Sequence, residues 1–523
     1  MFRFAATSVL ALAAGAAPVL AEVTPAQVWE NLQKTYSDYG YQVSGTAEDA
    51  GGTLTVRDAV LSMSSEDGKS AITIPELTFQ ETGDAKVRVT IDGDVTLDST
   101  FQVPAPDAPA VDDAANDDTA DAPADGTPPE TVPVTLTGTL RVPGNEMLVS
   151  GAPEDMTYEY TYPTVQMDVQ IPLGPDTDAT MPVSATLTDL AGTQRVVEGD
   201  GSDTTFDLTA SEAVIQIDSD VPPPADGTGG GTLKVQARMT ELSSKGTLDT
   251  PAQTFDLGTQ MAQALAAGLN INTDFAFAAM EADVDFTGKD PEGRDQTGTG
   301  RATMGATDVA VQLSGQGMGY KGGTTDMAAE LSLSTLPFPV SYGADRTSFD
   351  ILIPVSRADA AQPFRLAYAL EGLTLADGIW NLFDPNSQLP RNPASLTIDL
   401  AGDAVMTQPQ DGTPPAPPFA PQTLTVNRVA LDAIGAKADI SGELAFGDNP
   451  NEPVGTLNGT FEGVNGLLDR MASLGFLPQE QVMGVRMMLT MFARPAEGNP
   501  DQLTSQIEFR EGGQIFANGQ QVK

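Results

Sequence analysis

The chain has 523 residues, 72 acidic against 26 basic side chains, a formal net charge of −46, and neither histidine nor cysteine. Without histidine it lacks the side chain that titrates near neutrality and the commonest metal ligand, so His-dependent triads and Cys/His zinc or haem centres are excluded, as are disulfides. An acidic surface of this size repels nucleic acid and anionic lipid headgroups, while 40% apolar residues suffice to bury a core in two to four packing units.

Residues 1–21 read as a secretory signal peptide. Arg3 supplies the positive start, Ala5 to Ala17 a short apolar run, Pro18 a helix break, and Val19-Leu20-Ala21 the small or medium residues before cleavage. About 13 apolar residues fall short of the roughly 20 that a spanning helix needs, and no later segment is long and apolar enough to span. The expected location is therefore the periplasm, after cleavage at Ala21.

The mature chain opens with a helix. Thr24 is a good N-cap, Pro25 suits the first helical position, Gln27 completes a capping box and Gly40 is placed to end the helix. Val28 and Leu32 share one face with Trp29 beside them, a pattern that packs on a sheet or closes one end of it, with Trp29 in the core rather than on a ligand. Strands follow over Thr53 to Met63, Ala71 to Phe79, Lys86 to Leu97, Val132 to Val142 and Met156 to Ile171. More are read over Thr204 to Ile217, Thr232 to Leu242, Asp274 to Thr287, Ala302 to Leu313, Met327 to Leu333 and Thr347 to Val355. All are rich in β-formers and separated by Gly, Asp, Asn and Pro clusters, which indicates an antiparallel meander rather than βαβ units.

Leu54, Val56, Ala59 and Leu61 are spaced 0, 2, 5 and 7, as are Ile72, Ile74, Leu77 and Phe79, and Leu424, Val426, Val429 and Leu431. A strand with this spacing switches its inward face once, as at a bulge or bend that curls a sheet, although at 40% apolar content the spacing also arises by chance.

A second helix is expected over Leu257 to Leu269, with Met261 and Leu265 on its buried face. Near the C-terminus, Val464 to Leu474 and Pro478 to Ala493 read as a helical hairpin broken at Gly475 and Pro478. Val464, Leu467, Leu468, Met471 and Leu474 make one apolar stripe; Val482, Val485, Met488, Leu489 and Phe492 make another. The five methionines from Met471 to Met491 invite a Cu(I) reading, because thioethers bind soft metals. With no His or Cys beside them, core filling is expected instead. A hairpin of Leu503 to Arg510 and Gln514 to Ala517, turning at Gly512-Gly513, closes the chain. Stretches 104–133, 222–231 and 408–422 are rich in acid, Pro or Gly and are expected as disordered loops.

The fold class expected is mainly β, all-β to α+β: long curved antiparallel sheets or two β-rich lobes, with an N-terminal capping helix and a C-terminal helical hairpin. The divisions expected are 1–21, then 22–256 with the acidic insert 104–133, then 257–523 with the loop 408–422 and the helical hairpin 462–494.

No phosphate loop, nucleophile elbow, HExxH, CxxC or dinucleotide fingerprint occurs. Carboxylate catalysis needs only two acids, yet no pair stands out among so many, and 6% aromatic residues are few for a sugar-binding cleft. No catalytic, cofactor-binding or metal-binding residue is nominated, and no cofactor is expected. The leading expectation is a non-enzymatic envelope protein whose curved sheet offers an apolar face to a lipid or another apolar ligand. The alternatives are a structural or interaction module with an envelope protein partner, and a carboxylate-dependent hydrolase of envelope glycans. Neither nucleic-acid binding nor membrane spanning is expected.

Several segments carry a family likeness. Val23-Thr24-Pro25-Ala26-Gln27-Val28-Trp29 runs into Tyr39-Gly40-Tyr41. Ile379-Trp380-Asn381-Leu382-Phe383-Asp384-Pro385 leads to Leu389-Pro390-Arg391-Asn392-Pro393-Ala394. The C-terminal block has Leu474-Gly475-Phe476-Leu477-Pro478, Met487-Met488-Leu489, Ala493-Arg494-Pro495 and Ala517-Asn518-Gly519-Gln520. Together these resemble the domain of unknown function 2125 family of Gram-negative envelope proteins over nearly the whole mature chain, with the acidic insert as an addition. The resemblance implies no activity, cofactor or site residue. A looser likeness, to envelope proteins with long curved sheets closed by an Asn-Gly hairpin, implies the bridge-like lipid-transport class by fold analogy alone. Read from its residues, the segment around Trp380 is a short helical turn ended by Asp-Pro, with Trp380 and Phe383 anchoring it in the core.

Overall fold

The computed structural model describes residues 23–523 apart from 39, 66–67, 105–130, 175–178, 222–229, 254, 256, 290–292, 356–359, 407–418 and 448. The expected signal peptide thus lies outside the described residues, as does most of the acidic insert and of the loops 222–231 and 408–422.

Thr24 caps the first helix, α1 (Pro25–Asp38), as the sequence predicts. Its hydroxyl donates to Gln27 Oε1 at 3.1 Å and its backbone N–H to the same oxygen at 3.0 Å. The chain then runs through β1 (Gln42–Asp49), β2 (Thr53–Ser65), β3 (Gly68–Glu81), β4 (Val87–Asp92), β5 (Val95–Pro104), β6 (Thr131–Arg141), β7 (Glu146–Ala152), β8 (Asp155–Pro172), β9 (Thr180–Glu198), β10 (Ser202–Val221) and β11 (Gly231–Thr250). After α2 (Leu257–Ala266) come β12 (Asn270–Phe277), β13 (Ala279–Lys289), β14 (Asp295–Met304), β15 (Thr307–Ser314), β16 (Gly317–Leu333), β17 (Val340–Ile353) and β18 (Gln362–Leu375). The short α3 (Asp377–Phe383) leads to β19 (Ala394–Met406), β20 (Phe419–Ala433), β21 (Ala436–Ala445) and β22 (Val454–Glu462). The expected helical hairpin is α4 (Val464–Ser473) and α5 (Gln479–Phe492), followed by β23 (Arg494–Ala496), β24 (Asn499–Arg510), β25 (Gln514–Ala517) and β26 (Gln520–Gln521).

All these strands join one 26-stranded antiparallel sheet. Four pairs lie end to end as single broken strands: β4 with β5 against β3, β6 with β7 against β8, β12 with β13 against β11, and β14 with β15 against β16. Each pass hydrogen-bonds to the next in chain order as far as β22, which pairs with β24; β1 forms one edge, and β23 with β25 and β26, beyond β24, the other. About twenty passes at the usual strand spacing make a sheet roughly 90 Å across.

A crease crosses this sheet where the broken strands part. The registers carry it through Asp58, Pro75, Gly93, Gly144, Pro163, Asp189, Ser211, Glu241, Ala278, Gly305, Asp326, Asp345 and Gly372, one position in each pass from β2 to β18. Asp58, Asp189, Glu241 and Asp326 sit there at φ 48°, 52°, 53° and 52°, a left-handed conformation that Asp tolerates better than branched residues. At Gly372 (φ 69°) the left-handed backbone favours glycine, and a Cβ would lie 2.1 Å from Asp345 Oδ2 and force that side chain to move. Polar side chains replace the interrupted ladder: Asn145 bonds both backbone groups of Ile91 at 2.8 Å, and Ser211 Oγ donates to Asp189 Oδ2 at 3.0 Å.

Across the crease the inward side chains are three residues apart instead of two. Val56 and Ala59, Tyr162 and Val165, Leu187 and Leu190, Ala210 and Ala213, Met239 and Leu242, and Phe277 and Met280 flank it in this way. Each strand therefore turns its apolar side chains to the same face on both sides of the bend. The 0, 2, 5, 7 spacing noted in β2 and β3 is this device, and the sheet uses it from β2 to β18. The sequence reading places no strand over β9, β18, β19, β21 or β22: in β9 and β18 the alternation slips at Asp189 and Gly372, and in β19, β21 and β22 much of the inward row is Ala or Gly.

Closed cores form under two helices. Val28 and Trp29 of α1 pack against Leu54, Val56, Phe79, Val87, Val149 and Met156, with the Trp29 ring 5.9 Å from that of Phe79. In α2, Ala264 and Leu265 cover Leu269 and Leu313, with Met261 alongside. One expectation is overturned. Of the five methionines assigned to the core, Met483, Met487, Met488 and Met491 are exposed on α5, and Phe492 of the expected inner stripe is exposed too. Packing against α4, β23 and β24 occupies only the Val482 side of α5, and nothing among the described residues covers the other.

Candidate functional site

Residues paired across an antiparallel ladder share a face, so the registers divide the whole sheet into two surfaces. The face beneath α1 and α2 is apolar; the other carries the ion pairs. Lys234 with Asp218, Arg238 with Glu212, Arg301 with Glu281, Arg365 with Asp350 and Arg428 with Asp439 all lie on the outer side. On the inner side, among the described residues, no charged side chain occurs from β10 to β22. Between β2 and β9 only Glu81 and Glu198, at strand tips, turn inward, and Glu198 is held under α1 by Asn31 Nδ2 at 2.7 Å.

Among the described residues, no side chains fill this inner face. Tyr342 is 50% exposed, Leu431 48%, Ile353 47% and Leu366 43%, although the registers place all four inward. Met63, Phe101, Met167, Phe275, Tyr320 and Leu331 are likewise exposed on it. An apolar surface of this extent is unusual for a free protein surface.

Near α1 the face carries a ladder of tyrosines. Tyr158 donates to Asn31 Oδ1 at 2.5 Å and Tyr160 to Gln194 Oε1 at 2.8 Å. Burial pushes all three phenols, Tyr158, Tyr160 and Tyr162, above their ordinary range, Tyr162 to about 12.

At the opposite strand ends, α3 and α4 roof the face over β18 to β20. They border a half-open cavity of about 430 Å³ lined by Leu373 and Leu375 of β18, Trp380 and Phe383 of α3, Leu389, Arg391, Ile434, Met471 and Phe476. Its size falls in the range of small-ligand sites and its walls are almost wholly apolar. Trp380 is buried, tilted against Phe383 at 5.1 Å, with the Arg391 guanidinium 5.7 Å from its ring. Arg391 pairs with Asp377 and donates to Asn381 Oδ1 at 3.2 Å, the Asp384 carbonyl at 3.2 Å and Ser387 Oγ at 3.0 Å. Asp384 is fully buried. Burial alone would raise its carboxyl, but N–H donation from Leu389 and Gln388 at 2.8 Å, with the charge of Arg391, holds it below the usual carboxylate range. This network locks the loop that carries Leu389 against α3.

The segments around Trp380, around Arg391 and around Phe476, noted apart in the sequence, converge on this cavity. The remaining C-terminal segments tie α5 to the closing strands: Arg494 Nη2 donates to the Asn518 carbonyl and Asn518 Nδ2 to that of Phe492, both at 2.9 Å. The exposed inward residues were not nominated from the sequence; the signal that points to them is the slipped alternation. Among the described residues no three acidic side chains gather as a metal site.

No curated protein and no solved structure matches the chain. A family match is found, narrower than the resemblance implies, and it leaves the segment Val23 to Tyr41 outside. Over residues 292–517, which hold α3, the α4–α5 hairpin and the cavity between them, the chain matches the domain of unknown function 2125 family, described as an uncharacterized protein conserved in bacteria.

Proposed function

We propose that this protein is a non-catalytic, exported carrier that lays lipid acyl chains along the uncharged face of its sheet. The observation that carries the reading is the pairing of two facts: no charge from β10 to β22, and large inward side chains left about half exposed. A water-facing row of Leu, Ile, Tyr and Met is unfavourable at roughly 25 cal/mol per Å² unless something apolar covers it. The cavity under α3 and α4 extends that row into a roofed recess where a chain end can rest. The interaction-module alternative calls for a filled interior, and among the described residues closed apolar cores lie beneath α1 and α2. A hydrolase calls for two acids facing one cleft; among the described residues the face from β10 to β22 offers none, and of the two inward acids between β2 and β9, both at strand tips, Glu198 is tied to Asn31. The periplasm is the compartment this reading requires, and the leader expected over residues 1–21 accords with it.

Purification of the protein from its own cells without detergent, followed by solvent extraction and mass spectrometry, tests the proposal. Co-purifying diacyl or single-chain lipid in near-stoichiometric amount is expected. Recovery of no lipid from folded protein would refute it.

A further inference from the structure

On α5, Met483 and Met487 are each 69% exposed, Met488 55% and Met491 49%. The inward side of the same helix is formed by Val482, Val485 and Leu489, and from Met483 to Phe492 the outward side adds only Gly484 and Thr490. The one charge in that span, Arg486, turns to Asp469 of α4 at 2.7 Å. The result is a thioether row about 13 Å long, from Met483 to Met491, with the exposed Glu480 at its N-terminal end in the first turn of the helix.

We propose that this face rests on a lipid bilayer and that the α4–α5 hairpin is where acyl chains enter the groove. The inference rests on the acyl-chain reading above. Continuity favours a bilayer over a protein partner. Phe476, at the bend between α4 and α5, is half exposed and also lines the cavity, where Met471 and then Leu373 and Leu375 carry the apolar surface onto the inner face of β18. Methionine, unbranched and polarisable, also suits a fluid and irregular surface better than stiff side chains do. Charge selects the kind of bilayer: at −46 the molecule is repelled by anionic headgroups, so zwitterionic lipid is the partner.

The test uses the intact protein with phosphatidylcholine vesicles floated through a density gradient, beside a variant carrying Met483→Ser, Met487→Ser and Met491→Ser. Pyrene-labelled phosphatidylcholine, presented as monomer from cyclodextrin, is titrated into both. The wild type should float, the variant at least about tenfold less, with unchanged binding of the labelled monomer; replacing part of the phosphatidylcholine by an anionic lipid should lower flotation. Equal flotation of the two proteins overturns the proposal. So does a wild type that binds monomer without floating, which leaves the groove reading intact. A wild-type dimer that the substitutions convert to monomer also overturns it, assigning the face to a second copy. Failure of the wild type to bind labelled monomer sinks the groove reading itself and this inference with it.

Discussion

Replacing Ile353, Leu366 and Leu431 together by serine should weaken lipid binding strongly while the chain stays folded. These residues lie on the uncharged face in β17, β18 and β20, with 47%, 43% and 48% of their surface uncovered. Full burial of such a side chain is worth about 1.5–3 kcal/mol, so an acyl chain laid over the three uncovered portions gains roughly 2–4 kcal/mol in total. At 1.4 kcal/mol per decade, the triple variant should bind roughly 30- to 900-fold more weakly. Fluorescence titration with pyrene-labelled phosphatidylcholine measures this, and far-UV circular dichroism checks that the sheet persists. The control is Arg346→Ser, Arg365→Ser and Arg428→Ser, on the opposite face of the same three strands, which should leave affinity unchanged. A folded inner-face variant that binds as tightly as the wild type, or a control that loses as much, would refute the assignment of ligand to this face.

Trp29 and Trp380 are the two tryptophans of the chain. In a Trp29→Phe variant, a lipid with brominated acyl chains should quench the remaining Trp380, which lines the cavity; in Trp380→Phe, Trp29 beneath α1 should stay unquenched, and equal quenching of both counts against a cavity-bound chain. Alkali should loosen the α1 end first: with Tyr162 raised from 10.0 to about 12, its contribution is complete below pH 10 and is lost as pH climbs through about 12. Phenolate absorbance should accordingly show late-titrating tyrosines that revert to normal in urea. At the crease, Asp326→Val should destabilise by about 1–3 kcal/mol, because a β-branched residue resists φ of 52°, whereas Asp326→Gly should be close to neutral in denaturant melts.

Much of the local structure can be read one segment at a time. The capping box at Thr24 and Gln27, the Val28 and Trp29 side of α1, the break at Gly475 between α4 and α5, and the turn at Gly512-Gly513 all depend on neighbours within a few residues. Strand phase is harder to read. β9 contains Leu187 and Leu190 on one face, three apart, and a window that expects alternation sees disorder there until the φ of Asp189 is known. Burial of α5 is harder still: Val482 and Met483 are equally apolar, and only the position of β23 and β24 decides which of them is covered.

The candidate groove shows the same division. That no histidine or cysteine takes part, and that acids and bases alternate with Val, Leu and Ile in most strands, is written in the order of residues. Composition and period alone therefore determined an antiparallel, charged-outside, apolar-inside protein. Whether the apolar side would be packed shut was decided by tertiary structure, because closure depends on how many layers cover a sheet and not on the sheet itself. Here two helices fill the ground beneath them and a third and fourth roof one cavity. Among the described residues no second layer covers the remaining inner face, and several of its leucines, isoleucines and tyrosines stay half bare.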